Sequence, residues 1–235
     1  TDFKKRIGRP KTTDDFDKVM EDTKQAGLNV IAYAILGMPD QKIEDMVDTL
    51  IYLMGKRVLL GPSVYYPTPG TPLFEKCKET NILPSYPSQW RSSAFPIEAE
   101  EFERLDIVTL FRLARVINFI KGKMDEKGLN EGMTWKEIFQ VIKDREKVKV
   151  ETEVEGKNKV KLFSPCDSRL APYNELNAIT WIDLLFLVLE ERSFFSLRKN
   201  PDGSLSIFKV KSSKKVLDYF FEKTWERPIL RSQHG

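Results

Sequence analysis

Val30-Ile31-Ala32-Tyr33-Ala34-Ile35-Leu36 is an unbroken apolar run rich in β-branched residues, and Gly37-Met38-Pro39-Asp40 ends it. Such a run is typical of a strand that is covered on both faces, as in a parallel sheet. We therefore predict a buried strand over residues 30–36, followed directly by a loop.

The segments around this run alternate between helix and strand patterns. A helix pattern that Thr12 or Thr13 can cap and that Gly27 ends precedes it, and an amphipathic helix pattern from Ile43 to Met54 follows. A second apolar run, Val58–Tyr66, stops at the proline-rich loop 67–72. This αβαβ order predicts an α/β fold with parallel strands and right-handed crossovers.

The sequence changes character after residue 84, where prolines at 84, 87 and 96 mark an irregular stretch. Downstream, the patterns predict a helix over 98–121, a short helix opened by a capping box at 134–137, a hairpin over 148–162, an apolar helix over 174–191, a second hairpin over 194–210 and a helix over 213–225. We predict two domains, residues 1–96 and an accessory α+β domain over 97–235.

Composition excludes several functional classes. The formal net charge of +3 over 235 residues is too small to predict a nucleic-acid partner by itself. Two cysteines, Cys77 and Cys166, and a single histidine, His234, cannot form a disulfide framework, a Cys/His metal site or a Ser/His/Asp triad. We predict no metal-binding residues and assign no catalytic residue.

The same residues bear on the cellular compartment. So few cysteines fit a reducing environment, and no N-terminal signal pattern is present. The most apolar stretch, Trp181–Leu189, contains Asp183 and is far shorter than the ~20 residues that span a bilayer. We therefore expect a cytoplasmic protein with no membrane partner.

Four phrases in the first 75 residues resemble one enzyme family when taken together. They are Ile7-Gly8-Arg9-Pro10 before the first helix, Ala26-Gly27-Leu28 leading into the first strand, Ile35-Leu36-Gly37-Met38-Pro39-Asp40-Gln41 at its end, and Tyr65-Tyr66-Pro67-Thr68-Pro69-Gly70-Thr71-Pro72-Leu73-Phe74 after the second strand. This order is similar to the late part of the β/α barrel of radical S-adenosylmethionine (radical SAM) enzymes. The resemblance implies the C-terminal part of a partial TIM-type barrel.

The resemblance also implies a cofactor-binding set at the carboxyl ends of the two strands. Its members are Ile35 against the adenine, Tyr33 near the ribose, Arg9 toward the methionine carboxylate, Gly37 where the backbone approaches the ligand, and the backbone of Tyr66, Pro67 and Thr68 as a second wall. The family often has a carboxylate where Tyr33 stands. Ile35 also has a purely structural interpretation as a core residue, and Arg9 as part of a solvated basic run.

One departure from the family limits what the chain does alone. The family holds its [4Fe–4S] cluster with three closely spaced cysteines in a CxxxCxxC pattern, and this sequence contains no such pattern. It also supplies two of the usual six parallel strands. The resemblance therefore implies the C-terminal portion of a longer enzyme whose partner is its own missing N-terminal barrel half.

In the full-length enzyme the implied cofactors are SAM and the cluster, and the implied reaction is reductive cleavage of SAM. We expect neither cofactor to bind this chain stoichiometrically, and we expect the chain alone to be inactive. The substrate, whether a small molecule or RNA, is not defined by these residues. Some relatives carry a cobalamin-binding domain before the barrel, and the sequence does not decide that point.

The region after residue 97 leaves a second hypothesis open. Its order of helices and a hairpin with Arg198, Lys199, Lys209 and Lys211 is similar to a winged-helix arrangement, a module that sometimes contacts nucleic acid. A charged hairpin is also common as a solvated edge. The alternative to an enzyme is therefore an RNA- or protein-binding module on an α/β scaffold.

Overall fold

The computed structural model describes residues 12–144, 192–199, 201–202 and 205–231. Its helices are α1 (Thr13–Gln25), α2 (Ile43–Met54), α3 (Pro72–Glu79), α4 (Arg104–Asp125), α5 (Trp135–Asp144) and α6 (Lys214–Thr224), its strands are β1 (Ile31–Leu36), β2 (Leu59–Val64), β3 (Phe194–Lys199) and β4 (Leu205–Val210), and 3-10 turns span Pro87–Gln89 and Ser92–Ala94. The hairpin predicted over 148–162 and the apolar helix over 174–191 lie outside the described residues.

The two predicted strands of the first half pair in parallel. Their register runs from Ile31 opposite Leu59 to Leu36 opposite Val64. In the second half, β3 and β4 form an antiparallel hairpin, as the sequence predicts. The described chain is therefore a mixed α/β fold, with a parallel two-stranded sheet in its first half.

Helices α1 and α5 begin where the capping patterns predict. The Thr12 hydroxyl accepts a hydrogen bond from the Asp15 amide at 3.1 Å, and the Asp15 carboxylate accepts one from the Thr12 amide at 2.8 Å. The predicted capping box at the start of α5 has the same form, with the Glu137 carboxylate 2.7 Å from the Thr134 amide. Each pair satisfies amide groups that have no acceptor within the first helical turn.

One face of the parallel sheet is covered and the other is open, which corrects the prediction that β1 is buried on both faces. Ala32, Ala34 and Leu36 are buried, whereas Ile31 is 50% and Tyr33 73% exposed. The covered face packs on α2, and α4 packs against β2. An entirely apolar run predicts two covered faces, but the described residues supply a helical layer for only one.

Helix α4 starts six residues later than the sequence predicts. Its cap is Glu103, whose amide donates to the Asp106 carboxylate at 2.7 Å, and an isolated bridge joins Ala99 and Phe102 just before it. The helix then continues to Asp125, four residues beyond the predicted end. The apolar spacing of the helix therefore marks its body but not its first turn.

A continuous hydrophobic cluster spans the predicted domain boundary. It contains residues of β1, β2 and α2 together with Trp135 and the buried face of α6. The division at residues 96 and 97 stays a prediction, and the contacts across it involve the helical side of the sheet. Among the described residues, no helix combines the length and apolar character needed to cross a bilayer.

Candidate functional site at the carboxyl edge of the parallel strands

Two loops leave the sheet side by side at the carboxyl ends of β1 and β2. The Tyr65 amide donates to the Leu36 carbonyl at 2.8 Å, so the ladder continues to the last residue of β1 before the strands diverge. Residues 37–42 then lead into α2, and residues 66–71 lead into α3. Loops in this position form the ligand-binding crevice of parallel α/β folds.

Gly37 begins the first loop in a conformation that favours glycine. Its φ is +80°, and a Cβ atom there would lie 3.3 Å from Cδ1 of Ile107 and 3.6 Å from Cε2 of Phe102. Its amide donates to the Met46 sulfur at 3.2 Å. The close neighbours of Gly37 are therefore side chains of this chain, and the glycine is required for packing whether or not a ligand also approaches.

Gln41 fixes the shape of this loop and is a residue that the sequence argument did not single out. It is 7% exposed. Its Oε1 accepts from the Met38 amide at 3.1 Å, and its Nε2 donates to the Ile35 carbonyl at 3.2 Å. One side chain thus ties the loop back to the end of β1. A glutamine next to a Gly-Met-Pro turn carries no sequence signal for this role.

An ion pair links the first loop to helix α3, which follows the second loop. The Asp40 carboxylate, on a residue with φ of +63°, forms an ion pair with the Lys76 ammonium on α3. Thr71 starts α3 by accepting a hydrogen bond from the Phe74 amide at 3.2 Å and donating one to the Thr68 carbonyl at 2.8 Å. The first loop is therefore attached to the helix that follows the second.

The open face of the sheet carries the two strand residues that the resemblance implies. Tyr33 lies opposite Gly61 and Ile35 opposite Ser63. The Tyr33 ring rests over Gly61, since a Cβ atom on Gly61 would lie 2.9 Å from its Cδ1. Ile35 is partly buried. The face thus offers an aromatic ring with a hydroxyl, a branched aliphatic side chain and a small polar one.

The remaining residues that the resemblance implies differ in solvent exposure. Tyr66 is 48% exposed and Thr68 is exposed, whereas Pro67 between them is buried. Arg9 lies outside the described residues. Tyr33 and Ile35 therefore share one face, and Gly37 and residues 66–68 lie in the two loops at its carboxyl end.

A buried thiol and phenol lie behind the second loop. Cys77 is fully buried, and burial raises its pKa, which keeps it a packed thiol. Burial also raises the pKa of Tyr65. Within the described chain the Tyr65 hydroxyl has no hydrogen-bond partner of ordinary geometry, although Cys77 is close enough to influence its titration. Neither group has the properties of a nucleophile.

The residues described contain no group of three or more histidine, cysteine, aspartate or glutamate side chains arranged to hold a metal ion. Comparisons of the sequence with protein-family models and with curated proteins give no match.

Proposed function

We propose that this chain is the C-terminal part of a radical SAM enzyme, and that the open face of β1 and β2 forms one wall of the SAM site in the complete protein. The observation that carries the proposal is the open face itself. Its residues come from two parallel strands whose loops leave at the same edge, and those loops contain the phrases that resemble the family. Ligands of parallel α/β folds bind at this edge.

The chemistry of the face suits the adenosyl part of SAM. Ile35 and the Tyr33 ring provide apolar and aromatic surface against which a purine can pack, and the Tyr33 hydroxyl and Ser63 provide polar groups beside it. Gly61 leaves room above the sheet for the Tyr33 ring. Residues of this chain would thus bind and orient the cofactor, and we assign them no proton transfer.

The donor set of this chain does not fit the iron–sulfur cluster. Iron–sulfur clusters are held by several cysteine thiolates, and the sequence has two cysteines, of which Cys77 is fully buried with a raised pKa. On this proposal the cluster ligands belong to another part of the protein. Reduction of SAM is chemistry that the cluster supplies when bound.

Cofactor binding by the complete enzyme tests the proposal through two isoleucines on the same face of β1. Ile35→Asp introduces a carboxylate at the carboxyl end of the strand, where it would face the purine in a dry crevice. We expect SAM to bind at least about tenfold more weakly, measured by calorimetry. Ile31→Asp is the matched control, because the four-residue separation places it roughly 13 Å farther from the loops. It should change affinity less than about threefold.

Ala34→Asp controls for damage to the fold. Ala34 is 3% exposed on the helical side of the sheet, so an unpaired charge there should lower the melting temperature and leave little folded protein. If Ile35→Asp folds and binds SAM as tightly as the wild-type enzyme, the proposed site is wrong. Arg9→Ala in the same assay tests the separate expectation for the methionine carboxylate.

A further inference from the structure

The Tyr33 ring lies across the parallel sheet, against the residue opposite it. In the register of the two strands, Tyr33 pairs with Gly61. A Cβ atom on Gly61 would lie 2.9 Å from Cδ1 and 3.1 Å from Cε1 of the Tyr33 ring, and 3.2 Å from Cγ2 of Ile31. Both ring atoms belong to the same side of the ring. The ring therefore lies against the backbone of β2, in the space that a side chain at position 61 would take.

The backbone does not require glycine at position 61. Gly61 does not have a positive φ, unlike Gly37. It precedes Pro62, and a residue before proline favours the extended conformation of a strand, which alanine also adopts. A glycine within a strand costs stability relative to alanine, because it loses more conformational freedom on folding. What position 61 does require is space for the Tyr33 ring that lies over it.

The contact with Gly61 places the Tyr33 ring beside the proposed SAM site. Ile35 and Ser63 form the next pair along the same face, toward the loops. Tyr33 is 73% exposed, so most of its surface remains available to a ligand although one side of the ring contacts Gly61. A ligand on Ile35 and Ser63 therefore meets an aromatic ring whose position is set before binding, which lowers the ordering cost of the contact.

We propose that Gly61 is a positioning residue of the SAM site, which acts through Tyr33 by letting the ring lie against β2, where it contacts the adenosyl group. This inference rests on the proposed function, because it takes the open face as the SAM site. A cross-strand pair of an aromatic residue and a glycine can also serve the sheet alone. The two roles differ in what a side chain at position 61 changes: a positioning role predicts a loss of SAM affinity in a folded protein, and a purely structural role does not.

Gly61→Ala in the complete enzyme separates these roles. The added methyl group must displace the Tyr33 ring and the Ile31 side chain, and both are exposed, so the fold should persist with an unchanged or slightly higher melting temperature. SAM should bind roughly three- to tenfold more weakly in calorimetry, which is the scale of one lost aromatic contact. Gly122→Ala is the matched control, because a Cβ atom there would have no neighbour within 4 Å in the described part of the chain. It should leave SAM binding unchanged.

Removing the ring shows whether Gly61 acts through it. Tyr33→Ala should weaken SAM binding by a similar factor. Adding Gly61→Ala to Tyr33→Ala should weaken binding by less than about a further twofold, because no ring remains to be displaced. In this chain alone, nuclear Overhauser contacts between the Tyr33 ring protons and the Gly61 α-protons should be present, and their absence overturns the inference.

Three results of the binding experiment would also overturn the inference. A Gly61→Ala enzyme that folds and binds SAM as tightly as wild type means that the ring position does not matter. Loss of folding in Gly61→Ala makes the glycine a packing requirement of the sheet. Losses that multiply in the double variant mean that Gly61 does not act through Tyr33. If Ile35→Asp weakens binding while Gly61→Ala does not, the proposed function stands and this inference alone fails, whereas a wild-type enzyme that does not bind SAM refutes both.

Discussion

Lys121 is a buried cation whose role is structural. Its side chain is fully buried, and its ammonium donates to the carbonyls of Leu53 at 2.9 Å, Lys56 at 2.9 Å and Val58 at 3.1 Å. The first carbonyl belongs to the last turn of α2, where a cation is favourable, and it also accepts a hydrogen bond from the Lys56 amide at 3.2 Å. One side chain of α4 thus joins the end of α2 to the start of β2.

Replacing Lys121 should be strongly destabilising. Lys121→Met keeps most of the aliphatic stem but removes the ammonium donor from three carbonyls, of which those of Leu53 and Lys56 keep a backbone amide donor. We therefore expect the free energy of unfolding in urea to fall by roughly 1–3 kcal/mol. Lys136→Met is the control, because the Lys136 ion pair with Glu226 is exposed and should contribute less than about 1 kcal/mol. Equal effects of the two substitutions would contradict the structural role.

The same residue predicts a pH dependence. Burial lowers the pKa of Lys121 from 10.5 to about 7. Between these values the unfolded chain binds more protons than the folded one, so stability should rise as pH increases from about 7 toward 10, by up to about 1.4 kcal/mol per pH unit. Lys121→Met should lose this rise. A parallel pH dependence in both proteins would mean that the three carbonyls keep the pKa near its usual value.

Side-chain roles such as this one are hard to predict from the sequence. Lys121 ends the predicted helix, where a lysine is ordinarily solvated and favours the helix dipole. Its burial depends on α4 lying along β2, which is a tertiary contact with no local signal. The same holds for Asn118 of α4, whose side-chain amide forms hydrogen bonds with the backbone of Leu60 in β2. It also holds for Gln41. By contrast, Thr12 and the capping box at Thr134 were predictable because their partners lie three residues away.

The conformation of the loop over residues 37–41 depends on both the oxygen and the nitrogen of the Gln41 side-chain amide. Gln41→Glu keeps an acceptor for the Met38 amide, but an ionised carboxylate would face the Ile35 carbonyl, whereas a protonated carboxyl can donate to it. The pKa of the new glutamate should therefore be raised in the folded state. We expect the variant to be most similar to wild type near pH 4–5 and to lose stability as pH rises through that raised pKa.

Gln41→Leu is the matched control for this pH effect. It removes both hydrogen bonds at every pH, so its loss of stability should be constant, at roughly 1–3 kcal/mol, across the range in which Gln41→Glu changes. Denaturation by urea at several pH values measures both variants. If Gln41→Glu shows no change with pH relative to wild type, the Nε2 bond to Ile35 is not part of the loop in solution.

At the level of elements, local sequence patterns predicted which segments form helices and strands better than they predicted what each element packs against. The parallel pairing of β1 with β2 and the hairpin of β3 with β4 are confirmed, because strand patterns and the αβαβ order are encoded locally. The open face of β1 was not predicted. An apolar strand pattern with residues such as Ile31 and Tyr33 is the same whether those side chains pack against this chain or against another part of the protein. The same ambiguity applies to the candidate site.

Across the whole molecule, an aromatic cluster connects the two predicted domains. The Trp135 ring lies 5.6 Å from Phe139 and 5.7 Å from Phe220 in edge-on contacts, and its Nε1 group approaches the Met54 sulfur at 3.3 Å. Met54 belongs to α2, which also contacts α6. After residue 84 the chain changes from parallel to antiparallel strand pairing. The hydrophobic core on the helical side of the sheet nevertheless contains residues from both sides of the predicted domain boundary.

Because this core is continuous, the described parts of both predicted domains should unfold together. Trp135→Phe removes the Nε1 contact and part of the indole volume, and we expect it to lower stability by roughly 1–3 kcal/mol. In native-state hydrogen exchange, the most protected amides of β1 and of α6 should lose protection by the same free energy, since both exchange through one cooperative unfolding. Tyr86→Ala, at an exposed site outside the cluster, should change neither. If the loss is confined to α6 while β1 keeps its protection, the boundary at residue 96 separates two independently stable units, and the shared cluster is only a contact between them.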